Sequence, residues 1–187
     1  MEKFIYPLNK PCVIAPELLE WAKQQTYYTS YKAVRNDPKH HRMSPECSPK
    51  IPKEIIDKDP TLVMIHDMCD VLGCVVFKTS PFEVYKFHID DPEPNEFNKY
   101  IPSKSAALNV LLQDTRSTLM FYERWRNKQH VVPFYEHVYE KNKYYLLNVG
   151  HYHSWINYEN DRYLLSVRIG APSYDDIVQK LKDNVSQ

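Results

Sequence analysis

A mainly β architecture, a sandwich or jelly roll with helices at its flanks, is what the 187-residue sequence calls for. Three features carry that expectation. From Cys74 onward the apolar residues recur with a period of two, the spacing at which alternate side chains share one face of a strand. Seven or eight short runs of this kind follow one another at even spacing with no helical pattern between them. Tyr is abundant, at 15 residues, and with Val, Ile and Phe it favours strands in the second half of the chain.

In order, residues 1–15 read as irregular and proline-rich. Pro16-Glu17 followed by Leu18, Leu19, Trp21 and Ala22 predicts a helix over 16–28, with proline and an acid in the first turn. Residues 29–50 read as a basic and polar loop. His40-His41 falls there, but adjacent side chains diverge in regular structure, so a solvated loop or a substrate-contacting lid fits better than a metal site. Leu62, Ile65, Cys69 and Leu72 form a helical stripe over 60–72, with His66 a structural residue beside it and Gly73 the C′ residue that stops the helix. Strands are expected at Cys74–Lys78, Phe82–Asp90, Ala106–Leu112, Thr118–Tyr122, His130–Val138, Tyr144–Val149, His151–Ile156 and Arg162–Ile169. Pro133 demotes the fifth of these to an edge or a bend. Ser173-Tyr174-Asp175-Asp176 is a capping box that opens a last helix. One domain results: a helical region 1–73 packed on one sheet, a jelly-roll core 74–170 and a C-terminal helix 171–187.

Composition excludes several classes of function. Lys plus Arg equals Asp plus Glu at 24 each, so nothing draws the chain generally to nucleic acid or anionic lipid, and neither partner is expected. With 3 glycines, neither a G-x-G-x-x-G turn nor a phosphate-binding P-loop can be written. No apolar run is long enough for a membrane span, and the first residues lack the apolar core of a signal peptide. Cys12, Cys47, Cys69 and Cys74 show no C-x-x-C spacing, which fits free thiols in a reducing cytoplasm.

The residues that carry chemistry begin with His88-Ile89-Asp90. On a strand, positions i and i+2 share a face, so an imidazole and a carboxylate stand side by side, a donor pair suited to a divalent transition metal. A third ligand must come from a later inward face, and His151-Tyr152-His153 offers two histidines of one parity. Nine residues after His153 comes Arg162, which shares its face with Leu164 and Ser166. A guanidinium facing an apolar interior needs an anion, and its planar fork fits a carboxylate.

His88-x-Asp90, the distal His153 in His-Ser-Trp-Ile-Asn, and Arg162-Tyr-Leu-Leu-Ser-Val together resemble the 2-oxoglutarate- and Fe(II)-dependent dioxygenases. In the spacing from distal His to Arg they are similar to the prolyl-hydroxylase branch. The resemblance spans residues 74–170 and implies a double-stranded β-helix. It implies Fe(II) bound by His88, Asp90 and His153, with His151 a rival to His153 and no catalytic side chain beyond the metal ligands. It implies 2-oxoglutarate as cosubstrate, its far carboxylate held by Arg162 and Ser166, with Asn109 and Tyr85 as further cosubstrate-binding candidates. Tyr122 is a weaker candidate, and Arg168 reads as a surface or supporting residue. Asp90 disfavours halogenation, leaving hydroxylation of a peptide or small polar molecule as the implied outcome. Substrate contacts would come from loops 29–50, 91–104 and 123–129. The competing readings are a cupin-type metalloenzyme that does not use 2-oxoglutarate and a non-catalytic jelly-roll binding module.

Overall fold

The structure, a computed structural model, describes residues 3–29, 46–85, 106–124 and 131–185. Its elements are β1 (Ile5–Pro11), α1 (Ala15–Lys23), β2 (Tyr28–Thr29), β3 (Glu46–Cys47), α2 (Lys53–Ile56), α3 (Pro60–Met68), β4 (Asp70–Thr79), β5 (Ala106–Leu111), β6 (Ser117–Arg124), β7 (Val131–Val138), β8 (Lys143–Leu147), β9 (Tyr152–Asn157), β10 (Arg162–Ala171) and α4 (Tyr174–Val185). Among the described residues they form a seven-stranded sheet, β1-β8-β5-β10-β4-β3-β2, and a three-stranded sheet, β7-β6-β9. Every strand pairing is antiparallel.

Strand alternation sorts the core into two layers. On β10, Tyr163, Leu165, Val167 and Ile169 join Leu108 and Val110 of β5 and Tyr144 and Leu146 of β8 on the outer face of the large sheet. The helices cover that face with Leu18 and Ala22 of α1, Leu62 and Ile65 of α3, and Ile177 and Leu181 of α4. The opposite residues, Leu164, Ala107, Leu111, Tyr145 and Leu147, meet Leu119 and Phe121 of the small sheet. Arg162, Ser166, Asn109 and His153 lie on the faces that look into the space between the sheets, and the helices hold the large sheet from behind.

The termini of the elements depart from the sequence expectations in physically readable ways. Residues 5–11 are an edge strand, where Pro7 and Pro11 are tolerated because an outer edge lacks a second neighbour to receive their missing N–H groups. The N-terminal region is therefore not purely helical. Helix α1 ends at Lys23, short of 28, and its last carbonyls are taken by side chains: Gln25 Nε2 donates to Trp21 O at 2.9 Å and Tyr27 OH to Ala22 O at 3.1 Å. Gly73 is no helix cap. It lies within β4, no glycine has positive φ, and α3 stops at Met68 before the chain turns extended at Cys69. Residues 46–47 are a short strand rather than loop, and α2 was not expected. Pro133 sits where the β6–β7 register slips, on the edge strand of the small sheet, as expected of it. The capping box at Ser173 is present, with Asp176 N donating to Ser173 Oγ at 3.3 Å. Of the Phe82–Asp90 strand, Val84 bridges Ile156, and residues 86–90 lie outside the described residues, as do 30–45 and 91–105. No helix among the described residues is long and apolar enough to cross a membrane.

Candidate active site

Arg162 opens β10 on its inner face and is 1% exposed, the largest fully buried side chain described. Its register partner on β4 is Thr79. The guanidinium carbon lies 4.8 Å from the Trp155 ring and 5.7 Å from the Tyr139 ring, so aromatic faces hold the charge where a carboxylate would be expected. Nε and Nη1 are buried with no hydrogen-bond partner among the described residues. Burial pulls its pKa down to about 10, with Tyr139 acting the other way, which leaves it a cation at neutral pH.

Thr79 stands beside it in register, and two further polar groups lie along the same face. Ser166 shares the face and is 5% exposed, paired across the strands with Asn109 on β5 and Val75 on β4. Asn109 is buried and donates from Nδ2 to the Tyr139 hydroxyl at 3.2 Å, while its Oδ1 has no partner among the described residues. The Thr79 hydroxyl is likewise buried and unpartnered. An amide can be turned end for end without changing its shape, so Tyr139 OH could donate to Asn109 Oδ1 and leave Nδ2 as the free donor.

Tyr139 and Trp155 were not anticipated from the sequence as site residues. A signal existed: Tyr135, His137 and Tyr139 alternate on one parity, as do His153 and Trp155. Around the buried Tyr139, His137 and Tyr145 pack with ring centroids 5.5 Å away, edge to face. Burial raises the Tyr139 pKa, opposed by Arg162 and by the Asn109 hydrogen bond, so the phenol stays neutral. Burial also lowers the His137 pKa, against a smaller opposing pull from Glu140.

His153 lies on β9 in the facing sheet, 5% exposed and paired with Phe121. Its Nδ1 is 2.8 Å from the carbonyl of His151, which as the acceptor fixes the proton on Nδ1 and turns Nε2 away from the backbone. His151 stands just before β9 with its ring against Phe4, centroids 4.7 Å apart, and burial lowers its pKa. Tyr85 stacks parallel on Trp155 at 5.3 Å and donates its backbone N–H to Trp155 O at 2.9 Å, tying the segment that leads toward His88 to the strand of His153. His88 and Asp90 themselves lie outside the described residues, and among the described residues no three metal-ligating side chains converge. Tyr122 points to the other face of β6, bonding Ser154 Oγ at 2.8 Å.

No protein-family model matches this chain, and no curated protein sequence matches it. Solved structures do. The viral collagen prolyl hydroxylase of Paramecium Bursaria Chlorella virus-1, in its 2OG complex, is 13% identical over 91% of this chain and 97% of that chain, with a TM-score of 0.56. A Trichoplax adhaerens prolyl hydroxylase in complex with a hypoxia inducible factor peptide fragment is 11% identical, covering 89% of this chain and 83% of that one, with a TM-score of 0.57. HygX from Streptomyces hygroscopicus, with nickel, 2-oxoglutarate and hygromycin B bound, is 13% identical over 89% and 81% of the two chains, with a TM-score of 0.57. The chain thus has the jelly-roll fold of the prolyl hydroxylases and other 2OG-Fe(II) oxygenases.

Proposed function

We propose that this chain is an Fe(II)- and 2-oxoglutarate-dependent oxygenase, a hydroxylase of a peptide or small polar substrate, acting as a single domain in a reducing cytoplasm. The observation that carries the reading is Arg162: a cation 1% exposed, with two guanidinium nitrogens unpartnered among the described residues, Thr79 beside it in register, and Ser166 and Asn109 further along the same face. Burying such a charge costs several kcal/mol unless an anion joins it. The far carboxylate of 2-oxoglutarate meets that need, and the unpartnered Arg162 N–H groups and Thr79 hydroxyl are donors that fit its oxygens.

His153 would hold the metal through Nε2, with His88 and Asp90 as the other ligands. Fe(II) with 2-oxoglutarate and oxygen supplies the oxidation, the cosubstrate being decarboxylated to succinate as the substrate is hydroxylated. The chain supplies orientation. Trp155 and Tyr139 keep the Arg162 plane fixed, Tyr139 keeps the Asn109 amide fixed, and Tyr85 closes over Trp155. The aromatic lining excludes water, which strengthens each charged hydrogen bond made inside.

Thermal unfolding tests this. Mn(II) with 2-oxoglutarate at a hundred times its dissociation constant should stabilise the protein by about 2.7 kcal/mol. Arg162→Met should remove the 2-oxoglutarate increment while leaving the unliganded protein at least as stable, because a buried cation without an anion is replaced by an apolar chain of similar length. A 2-oxoglutarate increment that survives in Arg162→Met contradicts the assignment of that residue, and its absence in folded wild-type protein contradicts the function.

A further inference from the structure

One buried amide ties together the chain ends around Arg162. Asn157 closes β9, two residues past Trp155 and four past His153, so it shares their inner face. It is fully buried. Its Nδ2 donates to Ser80 O at 2.8 Å and to Asn160 O at 2.8 Å, with Thr79 O at 3.5 Å. The Thr115 hydroxyl lies 3.2 Å from its Oδ1 and 3.3 Å from Asn160 O. With both N–H groups spent on carbonyls, this amide has no donor left for a ligand.

The segments it joins are those that frame Arg162. Thr79 ends β4 and is the register partner of Arg162, and Ser80 follows it. Asn160 lies two residues before Arg162, in the link from β9 to β10, and Thr115 lies in the link from β5 to β6. Ser80 and Asn160 are exposed, so water can satisfy their carbonyls. Turning both carbonyls onto one buried side chain instead fixes the backbone on each side of the guanidinium. That end of the strand has need of it. From Leu164 to Ile169 β10 is held by β4 and β5 alike, but its register with β5 does not extend to Arg162.

We propose that Asn157 is a positioning residue for the cosubstrate anchor: its amide sets where Arg162 and Thr79 present their donors to the far carboxylate. This rests on the oxygenase reading given above and adds to it a residue that touches neither cosubstrate nor metal. Hydrogen bonds weaken steeply as distance and angle depart from their optimum, and an arginine–carboxylate pair depends on two parallel bonds at once. A guanidinium carried by a loosened strand end therefore loses its grip on the acid while the doubly paired remainder of β10 keeps the fold.

The test titrates Mn(II)-loaded protein, without oxygen, with 2-oxoglutarate and with 2-oxopentanoate, the same chain ending in methyl rather than carboxylate. The ratio of the two affinities reads the far-carboxylate anchor and cancels any change in chelation of the metal. Wild-type protein should prefer 2-oxoglutarate by about a hundredfold. Asn157→Leu, of similar size without the amide, should lower that ratio by roughly tenfold or more while changing 2-oxopentanoate affinity less than about twofold. Asn157→Ser, which keeps one donor, should fall between. Thr115→Val removes the partner of Oδ1 but leaves both N–H bonds, so it should keep the wild-type ratio although it weakens the same network. An unchanged ratio in folded Asn157→Leu makes the amide purely structural and overturns the proposal. So does an equal fall in Thr115→Val, because general loosening then suffices, and so does loss of the fold in both Asn157 variants. A wild-type ratio near one removes the anchor itself, and the oxygenase reading falls with it.

Discussion

Arg162 shows at the scale of one residue how function is stored against stability. Its parity on β10, inward with Leu164 and Ser166, is readable from the spacing alone, because β-strand alternation admits two faces and one is apolar. What the spacing could not reveal is the company it keeps. Tyr139 and Trp155 reach it from other strands, and contacts between distant strands depend on how the sheets close. His137 is similar: it is half-buried against Tyr139 and Tyr145, its Nε2 enclosed with no partner among the described residues, and burial depresses its pKa below the ordinary value. The unfolded chain therefore takes up a proton first as pH falls, so stability contributed by neutral His137 is complete above about pH 6.5 and declines below it. His137→Phe should make urea-unfolding midpoints at pH 7 and pH 5 closer together than in the wild type. An unchanged gap would show that the acid sensitivity arises elsewhere.

Whole elements were legible where one period dominated and illegible at their seams. β5, β6, β8 and β10 appear within a few residues of their expected limits, since each alternates or is apolar throughout over its length. β1 was hidden by Pro7 and Pro11, which argue against a strand unless its place at the sheet edge is known. The join of α3 to β4 was hidden because Leu62, Ile65, Cys69 and Leu72 continue a helical spacing into a segment that sheet pairing claims. At the start of α3, Asp59 is fully buried and accepts from Thr61 N at 2.9 Å, Leu62 N at 3.1 Å and Val13 N at 2.9 Å. One carboxylate thus caps α3 and ties it to the segment ahead of α1, and both helices back the sheet that carries Arg162. Asp59→Ala should cost roughly 2–3 kcal/mol in urea unfolding, and Asp59→Asn, which keeps an acceptor, about half of that. Equal losses would mean the charge rather than the cap matters.

Across the whole molecule, the fold class was available from the run of even strands, and the two-sheet arrangement agrees with it. The relative placement of four candidates is visible: Ser166 and Asn109 pair across β10 and β5 on the face that carries Arg162, and His153 stands on the facing sheet. Tyr85 stacks on Trp155, whose ring lies 4.8 Å from the Arg162 guanidinium carbon. The proposed ligands His88 and Asp90 rest on sequence alone, as does the choice between His153 and His151, though the Nδ1 contact of His153 with the His151 carbonyl gives the former the orientation a ligand needs. Substrate identity was least legible, because composition of the loops says little about which carboxylate or amide they would meet.

The most direct measurement is the visible spectrum of the folded protein with Fe(II) and 2-oxoglutarate in the absence of oxygen. A metal chelated by the keto acid gives a weak charge-transfer band; we expect that band in the wild type, its loss in His153→Ala and its retention in His151→Ala. A well-folded wild-type protein that binds Fe(II) but shows no band with 2-oxoglutarate would contradict the oxygenase assignment.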